Sequence, residues 1–158
     1  MKNSMLMLLA LLLAACDNQS QPNAVTSEPL AKSEQIKEAV YTISISANSE
    51  QRLSDAFKDK RSDLQIAGKG TVVKLLTDDL KGSQHQRFII KTNTGQTLLV
   101  AHNIDLAPRI NTLKVGDSIE FYGEYEWNKH GGVMHWTHKD PKQRHIDGWL
   151  RHAGLVYQ

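Results

Sequence analysis

The chain contains a single cysteine, Cys16, so no disulfide can form within it. That thiol is assigned below to a lipid anchor. The assignment also removes thiolate zinc ligation and a cysteine nucleophile from consideration. A long hydrophobic run is missing as well. The stretch Met5 to Leu13 is nearly unbroken in apolar character, but a permanent membrane-spanning helix needs ~20 apolar residues. Charge of one sign is scarce: the formal net charge is +2, and loss of Lys2 with a cleaved leader would lower it by one. A dedicated nucleic-acid binder carries a strong basic excess, so composition argues against nucleic acid as a partner. No Gly-x-Ser-x-Gly elbow occurs, and His130-Gly131-Gly132 alone does not make a lipase oxyanion loop.

What is present at the N-terminus is an export signal. Lys2, the short apolar core and small residues before a cut site follow that pattern. Leu13-Ala14-Ala15-Cys16 resembles the bacterial lipobox, in which the cysteine is acylated and becomes the first residue. Residues 1–15 are therefore assigned to a signal peptide, and the membrane is the first partner, through lipid on Cys16. Asp17 resembles the signal that retains lipoproteins at the inner membrane, the outer membrane being the alternative. Several acyl chains hold firmly, each buried methylene adding ~0.8 kcal/mol. Residues 16–35 are polar, carry two of the four prolines and show no apolar period, the composition of a flexible tether.

A helical N-terminal extension is expected over 36–66. Leu53, Ala56, Phe57 and Leu64 fall on a helical spacing, with Ser49 as the cap and Glu50 in the first turn. Ala39 to Ser46 alternates like a strand but would equally extend a helix. From 67 to 158 the rhythm is that of short strands: Thr71–Leu76, Arg87–Thr92, Gln96–Ala101, Ser118–Trp127 and Val133–His138. Asn93-Thr94-Gly95 supplies a tight turn for a hairpin. Pro108 forbids a long helix in the Ile104–Ile110 link. In Ser118–Trp127, Ile119, Phe121, Tyr125 and Trp127 share one face while Glu120, Tyr122, Glu124 and Glu126 share the other. Gly123 interrupts the apolar row where a bend or bulge is expected.

Three strands, a short link and two more strands is the order of the OB-fold. The fold class is thus mainly β with minor α: a small five-stranded OB-like barrel, an N-terminal amphipathic helix and a docked C-terminal segment. That segment, His145 to Gln158, is expected to close one end of the barrel. A β-sandwich is the runner-up, but the strands are too few for it.

Four of the seven histidines and two of the three tryptophans lie between Gly131 and Gln158. Zinc takes imidazole and carboxylate ligands, and a site from His138, His145 and Asp140 would hold zinc or manganese. Spacing tempers it. On a strand His135 and His138 point to opposite faces, with Met134 and Trp136 sharing the His138 side. On a helix His145 and His152 would be ~10.5 Å apart. No local pair is a ready chelate, and the rings read better as amphipathic wall residues that hydrogen-bond a neighbour. The remaining candidates for chemistry are His102 and Asp105. Arg109, Glu124, Glu126, Trp127, His135, Trp136 and Trp149 are candidates for ligand binding. Asp78, Asp79, His85 and Arg87 form a looser group, for which an acidic turn is the commoner explanation. Glu124 and Glu126 share a face like a glycosidase carboxylate pair, yet no sugar cleft is visible and they read as a solvated face.

The blocks GKGTVVKLL, HQRFIIKT, GQTLLVAHNIDLAPRI, GDSIEFYGEYEWN, GGVMHWTH and GWLRHAG together resemble a family of short exported bacterial proteins known as a domain of unknown function. The likeness runs from Gly68 to Gln158. It implies a small barrel-like domain and no particular activity. The positions matching its motifs are His102, Asn103, Asp105, Arg109, Glu124, Glu126, Trp127, His135, Trp136, His138, Asp140, Gly148 and Trp149.

Function is expected to be that of an envelope lipoprotein binding a small or polymeric ligand, or another envelope protein through Tyr122, Glu124 and Glu126. The alternative is a metal-dependent hydrolase, acting on phosphodiesters, with His138, His145 and Asp140 joined by Asp78 or His85.

Overall fold

A computed structural model describes residues 48–158. The residues expected to form a signal peptide and a tether, Cys16 among them, and the Ala39–Ser46 stretch lie outside the described residues. Helix α1 covers 48–58. The strands are β1 (Leu64–Leu75), β2 (His85–Lys91), β3 (Thr97–Asn103), β4 (Ser118–Glu126), β5 (Val133–His135), β6 (Trp149–His152) and β7 (Leu155–Tyr157). Among the described residues no helix is long and apolar enough to cross a membrane.

The barrel follows from alternation. In β4 the odd positions Ile119, Phe121, Gly123 and Tyr125 are buried while the even ones are half-covered or exposed, as a strand with one core face requires. β2 and β3 repeat the pattern through Phe88, Ile90, Leu98 and Val100. The β2–β3 hairpin turns through Thr92–Gln96. β1 pairs with β2 over Thr71–Leu75 and with β4 over Leu64–Thr71. β5 joins β3 in parallel and β4 antiparallel. The circuit β1-β2-β3-β5-β4-β1 therefore closes, making a five-stranded OB-like barrel. Closure removes the open edges that a protein without disulfides would otherwise have to protect.

Two segments outside the strands complete the core. Leu53 and Ala56 of α1 are buried in the core, and α1 is tied down by Trp127 Nε1 donating to the Phe57 carbonyl at 3.1 Å. The β3–β4 link contributes Ala107, Ile110 and Leu113. Buried Gln86 clamps that link, its amide donating to the Ile110 carbonyl and accepting from the Ile110 N–H, both at 2.9 Å.

Several local expectations are corrected. The helix ends at 58 and contains Ser49, and Leu64 opens β1 instead of closing the helix. β4 keeps regular pairing at Gly123; the irregularity lies in β1 between Val72 and Lys74. Gly123 answers a different need, because a Cβ there would run into the His135 carbonyl oxygen and stand 2.9 Å from Thr137 Cγ2. β5 stops at His135 because Trp136 adopts φ 51°, a left-handed conformation that ends strand pairing. The C-terminal segment does not plug the barrel. β6 pairs with the first half of β4, Ile119 to Tyr122, and β7 pairs with β6. Three-residue β5 covers only Glu124–Glu126, so the rest of that β4 edge was free to take another strand. Leu150 reaches the core, whereas Leu155 and Val156 stay exposed.

Candidate functional site

The outer face of the sheet, where β2, β3, β5 and the end of β4 meet, gathers the polar chemistry. Register is the cause. Glu124 lies directly across from His135, and Glu126, two residues on, shares its face. One ligand atom from each of Glu124, Glu126 and His135 fits within 4.8 Å of the other two. His135 Nε2 is 3.2 Å from Glu124 Oε1, but the alignment does not make a hydrogen bond, and this nitrogen is buried without a partner. Burial lowers the His135 pKa, outweighing the attraction of Glu124 and Glu126, and so favours the neutral ring.

His145 approaches the same carboxylate from the other side. Its Nε2 makes a very short contact with Glu124 Oε2, and its Nδ1 is 2.8 Å from the Ile146 carbonyl. A carbonyl and a carboxylate can only accept, so both ring nitrogens donate and the ring is an imidazolium. Burial opposes that charge, but the bonds to Glu124 and Ile146, with the charges of Glu124 and Asp140, outweigh it and raise the His145 pKa.

The loop that presents His145 is built on Asp140. Its carboxylate accepts from the backbone N–H groups of Lys142, Arg144 and His145 at 2.8–3.0 Å, bonds that lower its pKa. Its own N–H donates to Asp147 at 2.9 Å. The loop closes where the Gly148 N–H meets the His138 carbonyl at 2.9 Å. The rings of Trp136 and His145 stack over it at 4.2 Å. The left-handed turn at Trp136 thus directs its indole to the loop, away from the side that strand alternation would give it.

Two adjoining cavities of about 300 and 310 Å³ cross this face. The first is lined by Asp79, His85, Arg87, Glu126 and His135, and the second by His85, Asn103, His135, Trp136 and His138. Asp79 reaches the site because it bridges to His85 through paired backbone hydrogen bonds at 2.8 and 2.9 Å. Arg87 is occupied: Nε and Nη2 donate to the Thr77 carbonyl at 3.1 and 2.9 Å, and Nη1 is 3.9 Å from Asp79.

The structure therefore brings Glu124, Glu126, His135, Trp136, His138 and His145 together, with Asp79 and His85 from the β1–β2 side. Other candidates stand apart. His102 is fully buried, its Nδ1 2.8 Å from Thr137 Oγ1 and its Nε2 3.3 Å from the Pro108 carbonyl; burial takes its pKa down to about 4. Asp105 accepts from the Gln84 N–H at 2.7 Å. Arg109 pairs with Asp78 at 2.8 Å, and Trp127 anchors α1. Trp149 lies under Arg151, 4.9 Å from its guanidinium, beside Tyr122. Within the site itself, His138 is buried with Nδ1 2.7 Å from the Lys139 carbonyl, and beyond it the Asp140 oxygens are taken by loop amides. Sequence reasoning passed over Thr137, Asp147 and the His152–Asp117 pair at 2.8 Å. Each partner is distant in sequence or set by loop geometry, so no local period marks it.

The family described as Protein of unknown function (DUF3465) matches residues 36–158 of the chain. No curated protein matches it.

Proposed function

The chain belongs to the DUF3465 family, proteins of unknown function, and on that footing we propose an envelope lipoprotein whose barrel binds a glycan on the face of Asp79, His85, Glu126 and His135. The carrying observation is the lining of the two adjoining cavities: among the polar lining residues carboxylates and imidazoles predominate, and Arg87, the one arginine or lysine among the lining residues, is already engaged. OB barrels take oligonucleotides or oligosaccharides on this face. A phosphodiester backbone calls for unpaired basic side chains, and carboxylates repel it. Sugar hydroxyls instead donate to carboxylates and accept from imidazole N–H groups. Lipid on Cys16 would hold the barrel at the membrane, Asp17 favouring the inner one.

The test uses the full chain in detergent micelles, with tryptophan fluorescence read during titration. Short N-acetylglucosamine oligomers should change the emission saturably, and single-stranded oligonucleotides of matching length should not. Asp79→Asn and His85→Gln should each weaken the glycan response. An oligonucleotide response with a silent glycan titration would overturn the reading. For the anchor, Cys16→Ser should abolish lipid labelling and membrane retention, and retention of that variant would remove the lipid from the account.

A metal-dependent hydrolase remains the second reading, favoured by the convergence of Glu124, Glu126 and His135. It would not draw on Asp140, whose oxygens are spent on three backbone amides.

A further inference from the structure

Two carboxylates and an imidazole that converge make a place for something positive between them. Glu124 and Glu126 project from alternate positions of β4 and His135 from the facing position of β5, with ligand atoms mutually within 4.8 Å. His145 neutralises one carboxylate from the side, through Glu124 Oε2. It leaves Oε1, the Glu126 carboxylate and the buried, unpartnered His135 Nε2 facing one another. Buried polar atoms without partners are rare and costly. An imidazole nitrogen beside two carboxylate oxygens is the donor set of a borderline divalent ion.

We propose that Glu124, Glu126 and His135 form a divalent transition-metal site that takes zinc. Two oxygens and one imidazole nitrogen on two paired strands supply three ligands and leave a fourth position free, the arrangement of zinc sites that accept a water or a ligand atom. Glu126 and His135 also line the cavity of Asp79, His85 and Arg87, so the free position faces the proposed ligand face. The support around Glu124 suits a metal ligand. Its second oxygen is held by His145, whose ring is fixed by the Ile146 carbonyl and by stacking on Trp136; such outer partners orient a ligand and are worth roughly 10–100-fold in affinity. In that scheme His145 is a positioning residue. Manganese would occupy the same donors more weakly, as divalent affinities rise toward the end of the first row. The inference shares a face with the glycan reading but does not depend on it: zinc can bind where the glycan fails, and the converse.

The experiment is a competitive zinc titration of the full chain, chelator-stripped, untagged and in detergent, carrying Cys16→Ser so that no thiol competes. One equivalent should bind. Glu126→Gln, isosteric and on a half-covered position, should weaken binding by more than about tenfold while leaving the circular dichroism unchanged; His135→Gln should do the same. His130→Gln, on an exposed loop outside the site, should not alter it. Cobalt in place of zinc should give visible d–d absorption that Glu126→Gln alters. Zinc binding no tighter than about 1 mM, or one-equivalent binding that Glu126→Gln leaves intact, would overturn the proposal. Should His135→Gln fail to fold, the Glu126→Gln comparison decides alone.

Discussion

The rings of Trp136 and His145 lie 4.2 Å apart and within 5° of parallel, joining the residue that ends β5 to a loop nine positions further on. The stack fixes where His145 meets Glu124, and so joins the shape of the loop to the charge of the site. Trp136→Leu should remove a contact worth about 1 kcal/mol beyond the area it buries. Amide exchange across residues 139–147 should quicken while β1–β4 stay protected. Uniform quickening throughout the barrel would mean that the stack supports the fold, not the loop.

Buried His102 makes stability depend on pH in a definite direction. In the unfolded chain it titrates near 6.5 and in the fold at about 4, so the unfolded state binds the extra proton between those values. Its contribution is complete above pH 6.5 and is lost as pH falls toward 4, by about 3 kcal/mol in all. His135, also lowered by burial, loses stability in the same direction. His145, raised on balance, acts oppositely: its contribution is complete below pH 6.5 and declines as pH rises through its folded value. Urea midpoints across pH 4–7 should slope upward, and His102→Gln should flatten that slope relative to the parent. An unchanged slope would show that His102 titrates alike in the folded and unfolded states.

The Gln86 clamp carries a different prediction. Gln86→Leu keeps an apolar body of similar size but strands both the N–H and the carbonyl of Ile110 inside the barrel. Each unmade bond costs about 1–3 kcal/mol, so unfolding free energy should fall by about 3 kcal/mol. Denaturant titration measures it, and a loss under about 1 kcal/mol would imply that the link finds other partners.

Gly123→Ala tests close approach. The added methyl meets a backbone oxygen of β5, which cannot rotate away as a side chain would. Overpacking of this kind costs about 1–3 kcal/mol and occasionally more, and here it also presses β4 away from the strand that carries His135. The thermal midpoint should fall, and zinc binding should weaken in the protein that remains folded. A midpoint equal to the parent's would show that the two strands can separate without loss.

The barrel was legible in the residues because each long strand reports its own environment. Ile119, Phe121 and Tyr125 alternate with Glu120, Glu124 and Glu126, and a period of two survives without any knowledge of the partner strand. The hairpin was legible through Asn93-Thr94-Gly95 for the same reason, since turn chemistry is local. β5 was over-extended because nothing in HWTH signals that Trp136 takes a left-handed φ; the cause is the loop it packs against. The position of the C-terminal hairpin was equally hidden, because it depends on how much of the β4 edge three-residue β5 leaves uncovered.

Strand alternation placed Glu124 and Glu126 on one face, and in the absence of a visible partner they read as solvated. Which residues stand opposite them was settled by register across β4 and β5, and by a loop folded back on Asp140. Those contacts join positions 79, 124, 135 and 145, and a chain encodes separations of that length only through the packing of its core. Residue type and spacing therefore specify the barrel, whereas the meeting of carboxylates and imidazoles on its surface comes into being when the sheet closes.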